Sequence, residues 1–293
     1  MGITLLIRQH RYLDQQYCEK MKIKSLVLIT FTSLLISTGC KQVINIFSFH
    51  PDTINVIPSD RLPVNVQEIY IKTIDNINIQ SYLIPNKSSD KLLIYFHGNA
   101  GNIGHRLPDL IRLNSFGVNV LGMGYRGYGK SQGSPSEEGI YMDGKAAIDY
   151  ASKNLGFREE NIIIFGRSIG TTVAVNVSQN IKINKLILVT PLTSGKDYAK
   201  ALGLGLFSSL AGNSFDNINK IERVLCPILV IHGDQDKVVP FEMGEALFNK
   251  AKSKKSFIKI EGANHNNLST RYQNNYWSPI YAFIKGQSIK QDN

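Results

Sequence analysis

Six short runs of β-branched and aliphatic residues recur along this chain: Lys91–His97, Val118–Met123, Asn161–Phe165, Lys185–Val189, Pro227–Ile231 and Ser256–Ile260. Their aliphatic content is nearly continuous, so no face is left for solvent. Such runs suit parallel strands covered on both sides. Parallel neighbours cannot be joined by a tight turn and need a long crossover, usually a helix. Helical spacing fills the gaps at Gly104–Ser115, Ser136–Asn154, Ser168–Gln179, Phe241–Lys252 and Asn275–Ile284. Ser136 is placed as an N-cap ahead of Ile140, Ala146 and Ala147. Upstream, Val66–Thr73 and Ile77–Ile84 read as a hairpin turning at Asp75-Asn76. The expectation is an α/β class fold: a mostly parallel, doubly wound sheet with helices on both faces. Ligand sites in such sheets lie beyond the carboxyl ends of the strands.

The run Asn161–Phe165 leads straight into Gly166-Arg167-Ser168-Ile169-Gly170, and small residues follow at Thr171, Thr172, Val173 and Ala174. Strand, G-x-S-x-G, helix is the context of a nucleophile elbow, with Ser168 on a strained turn. The helix start behind it favours negative charge developing on a substrate oxygen. A serine hydroxyl is a weak nucleophile and needs a base with an orienting carboxylate. In this arrangement the acid and then the histidine follow the serine. His232 and His265 are the histidines downstream of Ser168. His232 ends a strand and leaves no room for an acid loop before it. His265, in the turn after the last strand, is the expected base. Asp236, in His232-Gly-Asp-Gln-Asp236, is the expected acid, with Asp234 as the fallback.

Two backbone N–H groups are needed for an oxyanion hole. Ile169, after the nucleophile, is expected to supply one. Asn99, in His97-Gly-Asn-Ala-Gly-Asn102, is expected to supply the other, with Ala100 next in line. His97 is read as packing behind that loop. The spacing matches neither a P-loop nor a dinucleotide fingerprint. No cofactor or metal is expected, since no His, Cys, Asp or Glu cluster has ligand spacing. The net charge of +10 is spread along the chain. Its densest cluster is Lys250, Lys252, Lys254 and Lys255, read as a solvated helix end, so no nucleic-acid partner is expected.

The N-terminus carries a different signal. Residues 1–20 are polar and read as untranslated or unstructured. From Met21, Lys22 and Lys24 precede an apolar run that closes on Thr38-Gly39-Cys40. Positive charge, a short apolar run and small residues make a secretory signal. The Gly39-Cys40 end resembles a bacterial lipobox, with Ser37 where that motif usually carries Leu. The run is about 14 residues, short of the roughly 20 a spanning helix needs. The expectation is a signal peptide over 21–39, a lipidated Cys40 and a bacterial cell-envelope location outside the cytoplasm. An uncleaved membrane anchor is the alternative. Residues 40–65, with Pro51, Pro58 and Pro63, read as a linker, 66–285 as one domain and 286–293 as a tail. Cys226, beside an apolar strand, reads as core filler.

Taken together, the His97–Asn102 loop, Tyr125-Arg-Gly-Tyr-Gly129 with Gly133-Ser-Pro-Ser136, Gly166–Gly170, His232–Asp236 and His265-Asn266 resemble one family. It is the serine α/β-hydrolase family that includes membrane-associated acyl-protein thioesterases and their bacterial relatives. The resemblance spans roughly residues 66–285. It implies the α/β-hydrolase fold with a short cap, here Leu192–Arg223. It also implies a Ser168–Asp236–His265 triad and a Tyr125–Gly129 loop that walls the site. Leu202, Leu204, Leu206, Phe207 and Leu210 would give that cap an apolar lining. The expected activity is hydrolysis of carboxylic esters or thioesters of small-molecule or acylated substrates. A serine peptidase on the same fold is the nearest alternative. A catalytically silent envelope-binding lipoprotein is an alternative of another class. Oligomeric state is left open.

Overall fold

A computed structural model describes residues 48–201 and 211–289, together with Asn45, Gly203, Ser208 and Ser209. The signal segment, Cys40, and the cap residues Leu202, Leu204, Leu206, Phe207 and Leu210 lie outside the described residues. Eight strands form one sheet: β1 (Gln67–Lys72), β2 (Asn78–Ile84), β3 (Leu92–Phe96), β4 (Asn119–Met123), β5 (Ile162–Arg167), β6 (Lys185–Val189), β7 (Ile228–Gly233) and β8 (Lys255–Ile260). Their order across the sheet is β8-β7-β6-β5-β3-β4-β2-β1. The β1–β2 hairpin and the β2–β4 pair are antiparallel, and every other pair is parallel.

Helix α1 (Leu107–Asn114) follows β3, and α2 (Glu137–Lys153) follows β4. Helix α3 (Gly170–Val177) follows β5, and α4 (Gly195–Ala201) lies in the β6–β7 connection. Helices α5 (Phe241–Lys250) and α6 (Gln273–Lys285) follow β7 and β8. One face of the sheet buries Leu93, Tyr95, Ile163, Phe165, Ile187 and Leu229 against Leu110 and Leu113 of α1 and Trp277, Ile280 and Ile284 of α6. On the other face α2 and α3 pack so closely that a Cβ on Gly144 would come within 2.4 Å of Val173. The central strands are covered on both sides, which is why their sequences carry no polar alternation.

Several boundaries shift for identifiable reasons. The segment expected as a helix from Ser168 begins at Gly170, because Ser168 has φ 53° and belongs to the turn. A 3-10 turn, Ile103–Arg106, precedes α1, and the Asn102 side chain accepts from the Gly104 N–H at 2.9 Å. Ser136 caps α2 by accepting from the Gly139 N–H. Pro240 is the extended residue before α5. The proline-containing stretch before β1 is tied to the domain: His50–Pro51 pairs in parallel with Ala100–Gly101, and Phe49 is buried.

Register aligns the strand ends. Phe96 pairs with Gly166, Arg167 with Val189, Val189 with Ile231, and Gly233 with Ile260. The loops starting at His97, Ser168, Asp234 and Glu261 therefore leave the sheet side by side. Between β3 and β5 the strand order reverses, and the two chains depart toward opposite faces. That switch point is where an open α/β sheet leaves a crevice.

Candidate active site

The elbow is built by crowding. A side chain on Gly170 would meet the Phe96 carbonyl at 2.3 Å, and one on Gly166 would meet Ala174 and the Gly170 carbonyl at 2.7 Å. Between them Ser168 adopts a left-handed backbone conformation, which costs about 1–3 kcal/mol and persists only where packing enforces it. Its N–H donates to the Val189 carbonyl at 2.9 Å, and its carbonyl accepts from Thr171. The turn is thus held at both ends, with the hydroxyl projecting over the strand ends.

The Ser168 hydroxyl donates to His265 Nε2 at 3.1 Å, and His265 Nδ1–H donates to Asp236 Oδ2 at 2.7 Å. All three residues are less than a tenth exposed. Asp236 Oδ1 accepts the N–H groups of Val238 and Val239, both at 2.8 Å. Burial pushes the Asp236 carboxyl up. Hydrogen bonds from His232 and His265, the charge of His265 and the Val239 N–H outweigh it and hold the carboxyl well below the usual carboxylate range. The carboxylate therefore stays ionised beside the imidazole. Asp234 accepts the Gly262 N–H at 2.8 Å instead, and Gln235 N–H donates to the Ala263 carbonyl at 3.0 Å. These bonds stitch the β7 loop to the β8 loop and so set Asp236 against His265.

Gly98 lies against the elbow, where a Cβ would come 3.5 Å from that of Ser168. The Gly98 carbonyl accepts the His97 Nδ1–H at 2.7 Å. In a trans peptide the carbonyl and the following N–H point in opposite directions, so this bond turns the Asn99 N–H away from His97. Neither the Asn99 nor the Ile169 N–H takes part in the backbone hydrogen bonds that fix these loops. The His97 ring is fully buried, and burial, with Arg106 and His105 adding to it, lowers its pKa to about 3. It rests on Tyr125 at 4.3 Å and Tyr128 at 5.4 Å between ring centres.

The Tyr125–Gly129 loop grips the oxyanion loop. Tyr125 donates to the His97 carbonyl at 2.9 Å and Tyr128 to the Asn99 carbonyl at 2.6 Å. Arg126 anchors the loop to Asp143 of α2 and to Asp75 in the hairpin turn.

Three residues near the site carried no signal in spacing. His232 is buried beneath the acid: its Nε2–H donates to the Val239 carbonyl at 2.9 Å and lies 3.4 Å from Asp236 Oδ2. Arg167 donates to the His265 carbonyl at 3.3 Å and lies 3.7 Å from Asp109. Tyr198 of α4 has its pKa raised by burial, with a smaller contribution from the charge of Asp236. Cys226 is a buried free thiol pushed up to about 12 by burial. Among the described residues no cluster of His, Cys, Asp or Glu could hold a metal ion, and no helix is long and apolar enough to cross a membrane.

An ordered serine–imidazole–carboxylate chain at the switch point of this sheet defines a serine hydrolase of the α/β-hydrolase class. Family models agree: "Serine aminopeptidase, S33" matches residues 87–220 and "Prolyl oligopeptidase family" residues 209–291. The chain is 32% identical over 249 residues to protein bem46 of Schizosaccharomyces pombe, covering 80% of this chain and 82% of that protein. It is 36% identical over 198 residues to human alpha/beta hydrolase domain-containing protein 17B, covering 67% of each. Among solved structures, an esterase of Pyrococcus furiosus superposes with a TM-score of 0.68 at 21% identity, covering 81% of this chain and 99% of that one. The chain belongs to the α/β-hydrolase family that contains bem46 and the alpha/beta hydrolase domain-containing 17 proteins.

Proposed function

We propose that this protein hydrolyses carboxylic esters or thioesters through an acyl-enzyme on Ser168. The observation that carries the reading is the continuous hydrogen-bonded chain from the Ser168 hydroxyl through His265 to Asp236. In this mechanism His265 Nε2 takes the Ser168 proton as Oγ attacks the acyl carbon. Asp236 stays ionised and stabilises the imidazolium. The carbonyl oxygen becomes an oxyanion between the N–H groups of Ile169 and Asn99. Collapse expels the alkoxide or thiolate, which takes the proton from His265. Water, deprotonated by the same imidazole, attacks the acyl-enzyme, and the proton returns to Ser168 as the acid leaves.

Two similarities support the ester and thioester reading: a solved neighbour is an esterase, and a human relative belongs to the domain-containing 17 group. A peptidase reading draws on the descriptions of the two family models. Turnover of p-nitrophenyl esters of graded length, acyl-thioesters and peptide amides by wild type and Ser168→Ala separates them. Ester or thioester turnover that Ser168→Ala abolishes is expected. Amide turnover exceeding ester turnover would favour the peptidase. Activity surviving in Ser168→Ala would remove the site.

We also propose that the chain is held at the cell envelope by lipidation of Cys40. Intact mass of the membrane-extracted protein tests this, the expected product being a diacyl- or triacyl-modified chain starting at Cys40. An unmodified chain that retains Met1 would refute it.

A further inference from the structure

The oxyanion loop contains two glycines, and Gly101 sits at φ 83°, so the loop has more backbone freedom than its task allows. Preorganised donors work only if they need not reorganise during reaction. Besides Tyr125 and Tyr128, the segment that precedes β1 restrains the loop from outside. The His50 N–H donates to the Asn99 carbonyl at 2.9 Å, and the Asp52 N–H donates to the Gly101 carbonyl at 3.0 Å. The Asp52 carbonyl in turn accepts from the Gly129 N–H at 3.0 Å and from Asn102 Nδ2 at 3.1 Å. Asn102 Nδ2 also reaches the Asn55 carbonyl at 3.0 Å. The Asp52 side chain holds its own turn by accepting the N–H groups of Ile54 and Asn55. Phe49, 5% exposed, packs edge-on against Phe215 at 6.1 Å, where the chain returns from the cap.

We infer that residues 49–55 form a positioning strap that sets the oxyanion hole. The strap joins three parts of the site: the loop bearing Asn99, the Tyr125–Gly129 wall and the base of the cap. On the Asn99 carbonyl it works together with the Tyr128 hydroxyl, two donors fixing one acceptor. None of its residues touches the reacting atoms, so its effect falls on stabilisation of the transition state and not on substrate affinity. The strap lies upstream of both segments matched by the family models. This inference rests on the acyl-enzyme reading of Ser168.

The test uses the full chain. His50→Pro deletes the N–H that reaches Asn99, whereas His50→Ala keeps it and changes only the side chain. Removing one oxyanion donor outright costs roughly 10²–10³ in kcat. Loosening one is expected to lower kcat of His50→Pro about 10- to 100-fold, with KM within about twofold. Affinity for a trifluoromethyl ketone, which forms a tetrahedral oxyanion adduct with serine, is expected to fall by the same factor. His50→Ala should restore both. Phe49→Ala, which frees the strap from Phe215 without adding proline, should show the same kcat-selective loss at a smaller size. A folded His50→Pro with unchanged kcat and ketone affinity would overturn the strap. So would a loss in Phe49→Ala that falls on KM alone. If His50→Pro fails to fold, Phe49→Ala decides by the same split. A wild type that neither turns over esters nor reacts with the ketone would bring down the acyl-enzyme reading, and the strap with it.

Discussion

Two imidazoles lie against the Asp236 carboxylate, and only one of them reaches the serine. His265, on the loop after β8, donates at 2.7 Å from Nδ1 and turns its Nε2 to Ser168 at 3.1 Å. His232, at the end of β7, lies 3.4 Å away and shares its Nε2–H with the Val239 carbonyl. Its Nδ1 faces helix α5, where a Cβ on Gly244 would come within 2.3 Å of it. Both rings are buried and both steady the same acid, so proximity to a carboxylate does not make a base. The difference is the backbone under each ring. A strand residue points into the layer between sheet and helix. A residue in the turn beyond the last strand can reach back over the elbow.

Substitutions that break the pairs should separate the two roles. His265→Ala should cost the most, about 10⁴-fold or more in kcat, because the proton acceptor is gone. Asp236→Asn should follow at about 10⁴-fold, since the amide no longer selects the tautomer that presents Nε2 to Ser168. Both are read from ester turnover with folding checked by circular dichroism.

The third imidazole, His97, separates burial from pairing. Among the described residues no carboxylate pairs with it, and burial lowers its pKa to about 3. Between the unfolded value near 6.5 and that folded value, the unfolded chain binds a proton that the native state refuses. Stability from this group is therefore intact above about pH 6.5 and is lost as pH falls toward 3. At about 1.4 kcal/mol per unit, wild type should lose about 2 kcal/mol more than His97→Gln between pH 6.5 and 5. Urea unfolding at the two pH values checks it; equal losses would contradict it. His232→Gln should have the smallest effect on turnover, about tenfold in kcat or roughly 1.4 kcal/mol, because Asp236 keeps His265 and two backbone donors. A loss as large as that of His265→Ala would erase the contrast between the two rings.

Much of this site was legible because it obeys local rules. The strand before Gly166 and the small residues after Gly170 mark a turn that only crowding produces. The chain order of serine, acid and histidine then singles out Asp236 and His265, which the structure brings together with Ser168. The unreadable parts depend on contacts without a sequence pattern. His232 was set aside as a base on chain order, and nothing in its spacing reveals that it leans on Asp236. Arg167 is one of the two variable positions of the elbow motif, and its bond to the His265 carbonyl spans loops far apart in sequence. Residues 40–65 read as a linker because they lack periodicity and contain Pro51, Pro58 and Pro63, yet His50 and Asp52 within them bond to the oxyanion loop. Their attachment is through backbone N–H and carbonyl groups, which every residue but proline carries alike.

The proposed pairing makes Ser168 the nucleophile and His265, not His232, its activating base. It is tested most directly by reacting the intact protein with a fluorophosphonate and locating the adduct by mass spectrometry. One adduct is expected, on the peptide carrying Ser168, formed rapidly by wild type and His232→Gln, slowly by His265→Ala and not at all by Ser168→Ala. An adduct elsewhere, or labelling that survives His265→Ala but is lost in His232→Gln, would contradict it.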